Sequence, residues 1–569
     1  MSCHVFKKTM TYADTLEAVG LADLIAELTG SRVRLKDQGE LLSLEFDELL
    51  EPENWLPPEP GYPFIYLETD EEVPIGWVLD YEKEREKAVQ LQNFRRATGK
   101  KRKEIAQVFQ EQGLQEPPSP SPEYRMANFL ASMRKGWASD KQLYLWLKNN
   151  PEETKKWVAG KLTGSAPPTI KGMPKISNSQ VFNPISGKGV HRPKPDSTSP
   201  ASISGEVIDP FAEWMKFRGA FQVMLPFGGG GSYKVLVAEP ADISLASLVS
   251  LTDMMRKQNL WGIGIKLDIE ALLRLTELLI MHSDVMGKSI NLRQRRPSEI
   301  LRGLHQAYFQ KMGPAHALMN YSFTSLPSWF AINDRRDANA YLGIIQDFIG
   351  IKEVDGVTGC LRSLSEDRSN DIPVLQRFRK WLMTGELKDL LEFCYRFALH
   401  QMERLGKKEW VKALSTENLS VLFERGYNMK EIINSEGFQS VARAIRNATI
   451  YALYFQGQGQ RSHEVHYGLA QKWKQKIKGG NAEFISALCE FVQQYNWESE
   501  NLDKVAADSG SNVKRHHKVR VSELDEIISF INDKGAELIG MLLLAYGYAR
   551  TPKQDALEQE IEYETEEVS

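Results

Sequence analysis

Between Phe438 and Gln460 the sequence FQSVARAIRNATIYALYFQGQGQ places Arg443, Arg446 and Asn447 on one side of a helix. Phe438, Val441, Ala442, Ile445, Thr449, Ala452 and Leu453 recur at three- and four-residue steps and mark the side that buries. Two guanidinium groups one turn apart, with an amide beside them, can grip a polynucleotide backbone through forked hydrogen bonds to phosphate. A solvated helix face has the same spacing. A second cationic group lies in the stretch NPISGKGVHRPK, where Lys188, Arg192 and Lys194 surround two glycines whose amides can approach an anion closely. The surrounding Pro-, Ser-, Thr- and Gly-rich run is equally a flexible linker, and it is not a Walker loop, because Gly189 stands where Ser or Thr is required. Positive charge also gathers in NFRRATGKKRKE (93–104), KSINLRQRRPSEILR (288–302) and KRHHKVR (514–520).

Catalytic constellations are harder to find. His463 and His466 lack the spacing of a zinc-protease helix, and no cysteine pair stands at zinc-ligand spacing, so no metal and no cofactor is expected. His282-Ser-Asp284 is not an adjacent His-Asp pair and reads as a polar helix end. Gly262-Ile-Gly264 lacks the third glycine of a dinucleotide fingerprint, and no Gly-x-Ser-x-Gly elbow occurs. His516-His517, within a basic loop, could touch RNA, but an exposed loop is the simpler reading.

The elements that position these groups follow from periodicity. With 569 residues the chain exceeds one core, and 42% hydrophobic with 26% charged residues marks a water-soluble globular protein. No apolar run approaches the ~20 residues that span a bilayer, and the start MSCHVFKKTM has no secretory core, so a cytoplasmic protein without a membrane segment is expected. Asp14 to Leu28 predicts a helix ending at Gly30, and alternation around Asp37-Gln38-Gly39 predicts a hairpin. Strands are predicted at 222–225 and 233–238 around Gly228–Gly231, and helices at 81–112, 123–148, 152–162, 244–258, 269–281, 297–311 and 338–348. From Val374 onward only helices are predicted, at 375–404, 417–425, 429–434, 438–454, 464–478, 482–495 and 521–549. The fold class expected is an α+β N-terminal body followed by an all-α C-terminal bundle. Its segments are an α+β region (1–162), a basic loop (163–206), a mixed central region (207–370), the bundle (371–550) and an acidic tail that reads as disordered (551–569).

The helix and hairpin of Tyr12 to Phe46, the NPISGKGVHRPK loop followed by DPFAEWMKFRGAF, and the terminal helices with ARAIRNATIYA together resemble the large subunit of a type I CRISPR interference complex, Cascade, of the type I-B kind. The resemblance covers most of the chain in order. It implies a non-catalytic subunit at the crRNA 5′ end that reads the protospacer-adjacent motif in target double-stranded DNA, helps to open it and docks a downstream effector. The bundle would stand for the separate small subunit; in some such systems it is also made from an internal start, for which Val374 or Met383 is suitably placed. The implied partners are crRNA, target DNA, the Cascade backbone and small subunits, and a helicase-nuclease or a transposon-targeting protein.

On that resemblance, Lys188, Arg192 and Lys194 would meet the crRNA handle or the motif-bearing duplex, with Arg293, Arg295 and Arg296 on phosphates. Asn291 or Gln294 would read a base edge, and Arg443, Arg446 and Asn447 would hold a single strand without reading it. Two other classes stay open. A protein scaffold would account for the bundle and acidic tail, and a metal-dependent nuclease would need distant groups such as Asp284, His305 and His316 brought together.

Overall fold

Helix α1 starts where the Thr11 hydroxyl accepts a hydrogen bond from Ala13 N at 3.2 Å, and it stops at Gly30, whose φ of 69° suits a left-handed cap. The computed structural model describes residues 1–47, 51–58, 64–65, 78–79, 81–97, 99–114, 116–133, 138–164, 172–174, 176, 180–184, 209–229, 231–258, 260, 262–313, 315–351, 358–457, 459, 461–508 and 516–551. In chain order the mixed part runs β1 (Ser2–Phe6), α1 (Tyr12–Thr29), β2 (Arg34–Asp37), β3 (Leu41–Glu45), β4 (Phe64–Ile65), β5 (Val78–Leu79), α2 (Tyr81–Arg96), α3 (Gly99–Gln110), α4 (Pro122–Ser132), α5 (Ala138–Asn149), α6 (Pro151–Thr163), α7 (Pro210–Val223), β6 (Met224–Gly229), β7 (Ser232–Pro240), β8 (Asp242–Ser244), α8 (Leu245–Lys257), α9 (Ile265–Met281), β9 (Leu301–Met312) and β10 (Ala315–Ser325). Helices follow: α10 (Arg335–Ile349), α11 (Ile372–Thr384), α12 (Leu387–Gly406), α13 (Thr416–Val421), α14 (Lys430–Ile433), α15 (Glu436–Ala448), α16 (Ile450–Gly457), α17 (Leu469–Lys478), α18 (Asn481–Asp508), α19 (Val521–Lys534) and α20 (Ala536–Gly547). This is an α+β part followed by an all-α part.

Two units divide the chain. The first takes residues up to Ile263 with Arg274–Asn291 and Pro297–Leu326; the second takes Gly264–Leu273, Leu292–Arg296 and the chain from Pro327. In the first unit β1-β3-β2-β8 form one antiparallel sheet and β10-β9-β7-β6 another. Helix α1 packs lengthwise on α7. That crossing is close because Gly20 and Gly219 face it: a Cβ on Gly20 would sit 1.9 Å from Met215 O, and one on Gly219 2.0 Å from Leu16 O. Beside the glycines, buried Arg218 bridges Asp23 at 2.5 Å and Glu27 at 2.7 Å, so the polar rim fixes the same register as the close approach. Residues 1–162 and 207–370, separate in the sequence reading, are therefore interleaved. Helix α7 and strand β8 complete the helix pair and sheet begun by α1, β2 and β3, while Pro327 onward joins the second unit.

One predicted helix is a strand. Residues 297–311 hold β9, paired with β7 and β10, although Ile300, Leu301, Leu304, Ala307 and Tyr308 also fit a helical period. Pairing on both edges decides it, and Gly303 lets β10 approach, since a Cβ there would lie 2.1 Å from Thr324 O. Other predicted helices are broken. The 375–404 helix breaks at Gly385 (φ 65°), the 521–549 helix at Gly535 (φ 91°), and the 438–454 helix at Thr449, whose φ and ψ of −126° and −93° divide α15 from α16. The 81–112 and 123–148 helices each fall into two, and the 464–478 helix starts only at Leu469.

Candidate nucleic-acid interface

Helix α15 begins at Ser435, whose hydroxyl accepts from Phe438 N at 3.2 Å, and it packs against α19 and α20. Phe438, Val441, Ala442, Ile445, Thr449, Ala452 and Leu453 are all buried, as their spacing predicts. Arg446 is buried as well, which corrects its assignment as a phosphate ligand. It is 4% exposed and donates from Nε to Ala549 O at 2.5 Å and from Nη2 to Tyr546 O at 2.9 Å, so its charge serves the C-terminal carbonyls of α20. Asn447 donates to the Tyr495 hydroxyl at 3.0 Å. Of the three, Arg443 is half-buried and makes no hydrogen bond or ion pair among the described residues. The helix wheel groups them correctly, but α18 and α20 cover most of that side.

Arg443 lies at the edge of a histidine cluster. His463 stacks on Tyr495 with centroids 4.6 Å apart and shares a 2.9 Å hydrogen bond with Ser499 Oγ. His466 stands 3.4 Å from Glu498, His516 2.7 Å from Asp503, and His517 3.0 Å from Ser440 Oγ. Burial, aided by the neighbouring His516, pushes His463 down to about 4; burial with Arg443 does the same to His517. His516 and His517 are thus packed into the bundle, not an exposed basic loop. Alongside runs a concavity of about 390 Å³ lined by Arg461, Trp497 and Asn501, with Glu464 also present. Arg461 is exposed and makes no hydrogen bond or ion pair among the described residues, and Trp497 is 64% exposed. An arginine beside an uncovered indole is the chemistry of a single-strand stacking surface. Sequence reading missed both residues, because α18 and the segment before α17 meet only in the fold.

The turn Leu292–Arg296 of the second unit carries three arginines in five residues. Leu292 and Ile332 are fully buried and anchor it; Gln294 N donates to Ile332 O at 2.8 Å, and Ile332 N returns to Arg295 O at 3.0 Å. Arg293, Gln294 and Arg296 are exposed and Arg295 is half-buried. Gln294 has a φ of 61°, a left-handed conformation rare for a residue with a side chain and concentrated at functional turns. The Arg295–Ile332 bridge also brings the start of α10 to this turn. There Asp334 caps the helix by accepting from Arg336 N and Asp337 N, while Arg335 and Arg336 are exposed with no side-chain hydrogen bond or ion pair among the described residues. Arg335 and Arg336 escaped the sequence reading, since nothing local links them to residues 293–296. Asn291, in the first unit, is exposed. Lys188, Arg192, Lys194 and the acidic stretch Asp555 to Ser569 lie outside the described residues.

Two buried networks imitate catalytic ones. Ser363 Oγ lies 3.2 Å from His400 Nε2, and His400 Nδ1 lies 3.1 Å from Asp371, the connectivity of a nucleophile triad. Yet Ser363 Oγ donates to Cys360 O at 2.8 Å, all three residues are under 7% exposed, and Arg368 ties Asp371 to the same turn, so the set holds the single 3-10 turn Cys360–Ser363 onto α12. In the first unit Lys7 pairs with Asp37 at 2.9 Å and Glu239 at 2.7 Å, with His305 3.4 Å from Glu239 and its Nδ1 2.7 Å from the Tyr321 hydroxyl. Burial alone would raise the Glu239 carboxyl; His305 and Lys7 outweigh it and hold it down at about 2. His305 and His316 are not brought together: in register they oppose Phe323 and Lys311, about 20 Å apart along the ladder. Among the described residues no group of three or more His, Cys, Asp or Glu is placed to hold a metal ion, and no helix is long and apolar enough to cross a membrane.

No protein-family model matches this sequence, and no curated protein matches it.

Proposed function

We propose that this chain is the large subunit of a crRNA-guided DNA surveillance complex of the Cascade type, acting in the cytoplasm by binding rather than by bond cleavage. The observation that carries the reading is the Leu292–Arg296 turn: exposed arginines and a left-handed Gln294 on anchored backbone, with Arg335 and Arg336 alongside. Arginine forks suit phosphates, and a glutamine amide suits an adenine edge or the A·T pattern of a minor groove. An α+β part followed by helices agrees with a subunit of that kind. In this reading the turn grips the motif-bearing duplex or crRNA handle, Arg443, Arg461 and Trp497 support a single strand, and a helicase-nuclease or transposon-targeting protein docks afterwards.

Co-expression with crRNA and sister subunits, followed by gel-shift titration on target duplex, tests it. Replacing Arg293 and Arg296 by Ala should weaken all targets alike and lower the log-log salt slope by about 0.9 per lost phosphate contact. Gln294→Ala should instead relax sequence preference, by ~1–3 kcal/mol at one base pair. A purified chain that associates with neither guide RNA nor duplex in that setting overturns the proposal, and so does one that cuts DNA unaided. Association with the sister proteins but no nucleic-acid effect of any of these substitutions would leave a scaffold.

A further inference from the structure

The first unit holds a cavity of about 560 Å³ between α2, α4, the β6–β7 hairpin and the end of α8. Its lining carries Arg85, Arg125, Arg256 and Lys257 and, among the described residues, no carboxylate. Arg256 is already committed, to Asp253 at 2.7 Å and to the carbonyls of Phe221 and Gln222, where it closes the end of α7. Arg125 lies over the Phe227 ring at 5.4 Å, forming a flat wall with Tyr124 close by. Arg85 and Lys257 are exposed at the rim, and the only ion pair of Arg85 among the described residues is an exposed 3.5 Å contact with Glu82. Ser121 also lines the space, and its Oγ is buried just behind the surface without a hydrogen-bond partner among the described residues. The Ser121 amide donates to the buried Glu84 carboxylate, which pairs with Lys87, whereas its enclosed hydroxyl is left unmatched beside the cations, a polar group waiting for an acceptor from outside.

We propose that this cavity binds one nucleoside phosphate, its phosphate held by Arg85, Lys257 and Ser121 and its base laid on the Arg125–Phe227 wall. The cation excess selects an anion, the guanidinium fork favours phosphate over a lone halide, and the aromatic wall rewards a planar ring. The volume fits one nucleotide and not a duplex. The nucleotide has two possible sources, a free mononucleotide or the 5′-phosphorylated end of a strand. The cavity is built from residues of the first unit and shares none with the Arg293–Arg296 turn, so the two proposals are tested independently.

Calorimetric titration of the full chain with each of the four nucleoside monophosphates, adenosine, inorganic phosphate, and a short oligonucleotide with or without a 5′-phosphate tests it. A mononucleotide should bind about tenfold or more tighter than adenosine or inorganic phosphate. R85E combined with K257E should weaken that binding about tenfold or more at unchanged melting temperature, since both side chains are exposed, while R293A with R296A should leave it unchanged. Preference for the 5′-phosphorylated oligonucleotide over the mononucleotide assigns a strand end; the reverse assigns a free nucleotide. No saturable binding at millimolar concentration, equal binding of inorganic phosphate, or indifference to R85E with K257E overturns the proposal.

Discussion

Replacing Arg446 with Met distinguishes a phosphate ligand from a structural clamp. The guanidinium donates to two carbonyls at the end of α20, at 2.5 and 2.9 Å, in a site that is 4% exposed. Hydrogen bonds from a charged donor contribute about 1.5–3 kcal/mol each, and a cation at a helix C-terminus adds up to ~1 kcal/mol. Methionine keeps much of the stem volume but leaves Ala549 O and Tyr546 O without that donor, so the expected loss is about 3–5 kcal/mol. For a unit of a few hundred residues this lowers the melting temperature by about 6–15 °C. Far-UV circular dichroism during thermal and urea unfolding reads it. Arg443→Met, at a half-buried position with no hydrogen bond or ion pair, should stay within about 0.5 kcal/mol of the parent. On nucleic acid the order reverses: R443E lowers the salt slope on a single strand by about 0.7, while R446M, assayed below its melting range, keeps the parental slope. An R446M protein with unchanged melting and a reduced salt slope would refute the reasoning, because the guanidinium would then be facing phosphate rather than α20.

Acid should act on the bundle and on the first unit in different windows. His463 and His517, held near 4 against an ordinary 6.5, bind fewer protons folded than unfolded; their contribution is intact above about pH 6.5 and lost as pH falls toward 4, at about 3 kcal/mol per ring. Melting curves between pH 7 and pH 5 check this, and H463Q with H517Q should flatten the dependence; a pH-independent melt of the parent speaks against it. Glu239, held at about 2 against 4.5, contributes above pH 4.5 and loses that contribution as pH falls toward 2, so E239Q should remove an acid-sensitive step that the histidine variants leave in place. Gly20→Ala and Gly219→Ala each force a Cβ to about 2 Å from a carbonyl oxygen across the α1–α7 crossing and should cost at least 2 kcal/mol by urea unfolding; a neutral effect would mean that the helices can separate freely.

Local chemistry explains which parts of the fold the sequence made legible. The α1 stripe ends at a glycine that can take a left-handed cap, and the β2–β3 hairpin alternates around Gly39, so both are written within a few residues. The breaks at Gly385 and Gly535 carry the same glycine signal and were open to reading, whereas the break at Thr449 has no such residue and depends on packing. Strand β9 fits two periods at once, and only its partners β7 and β10, distant in sequence, choose between them. Nor does any local pattern pair Gly20 with Gly219 across almost two hundred residues.

The candidate sites obey the same division. Arg443 and Arg446 are the same residue type three positions apart, and periodicity puts them side by side; α20 then covers one and leaves the other half-open, a difference of depth that a helix wheel does not contain. The Leu292–Arg296 turn runs the other way. Its arginines were legible because turn residues need no covering element to be exposed, but their neighbours Arg335 and Arg336 arrive through the Arg295–Ile332 bridge. Charge density in a sequence therefore locates candidate ligands for an anion, and long-range packing decides which of them a phosphate can reach. The consequence for testing is specific: among the cations named from sequence, those on the exposed turn should govern salt dependence, and the buried one should govern stability.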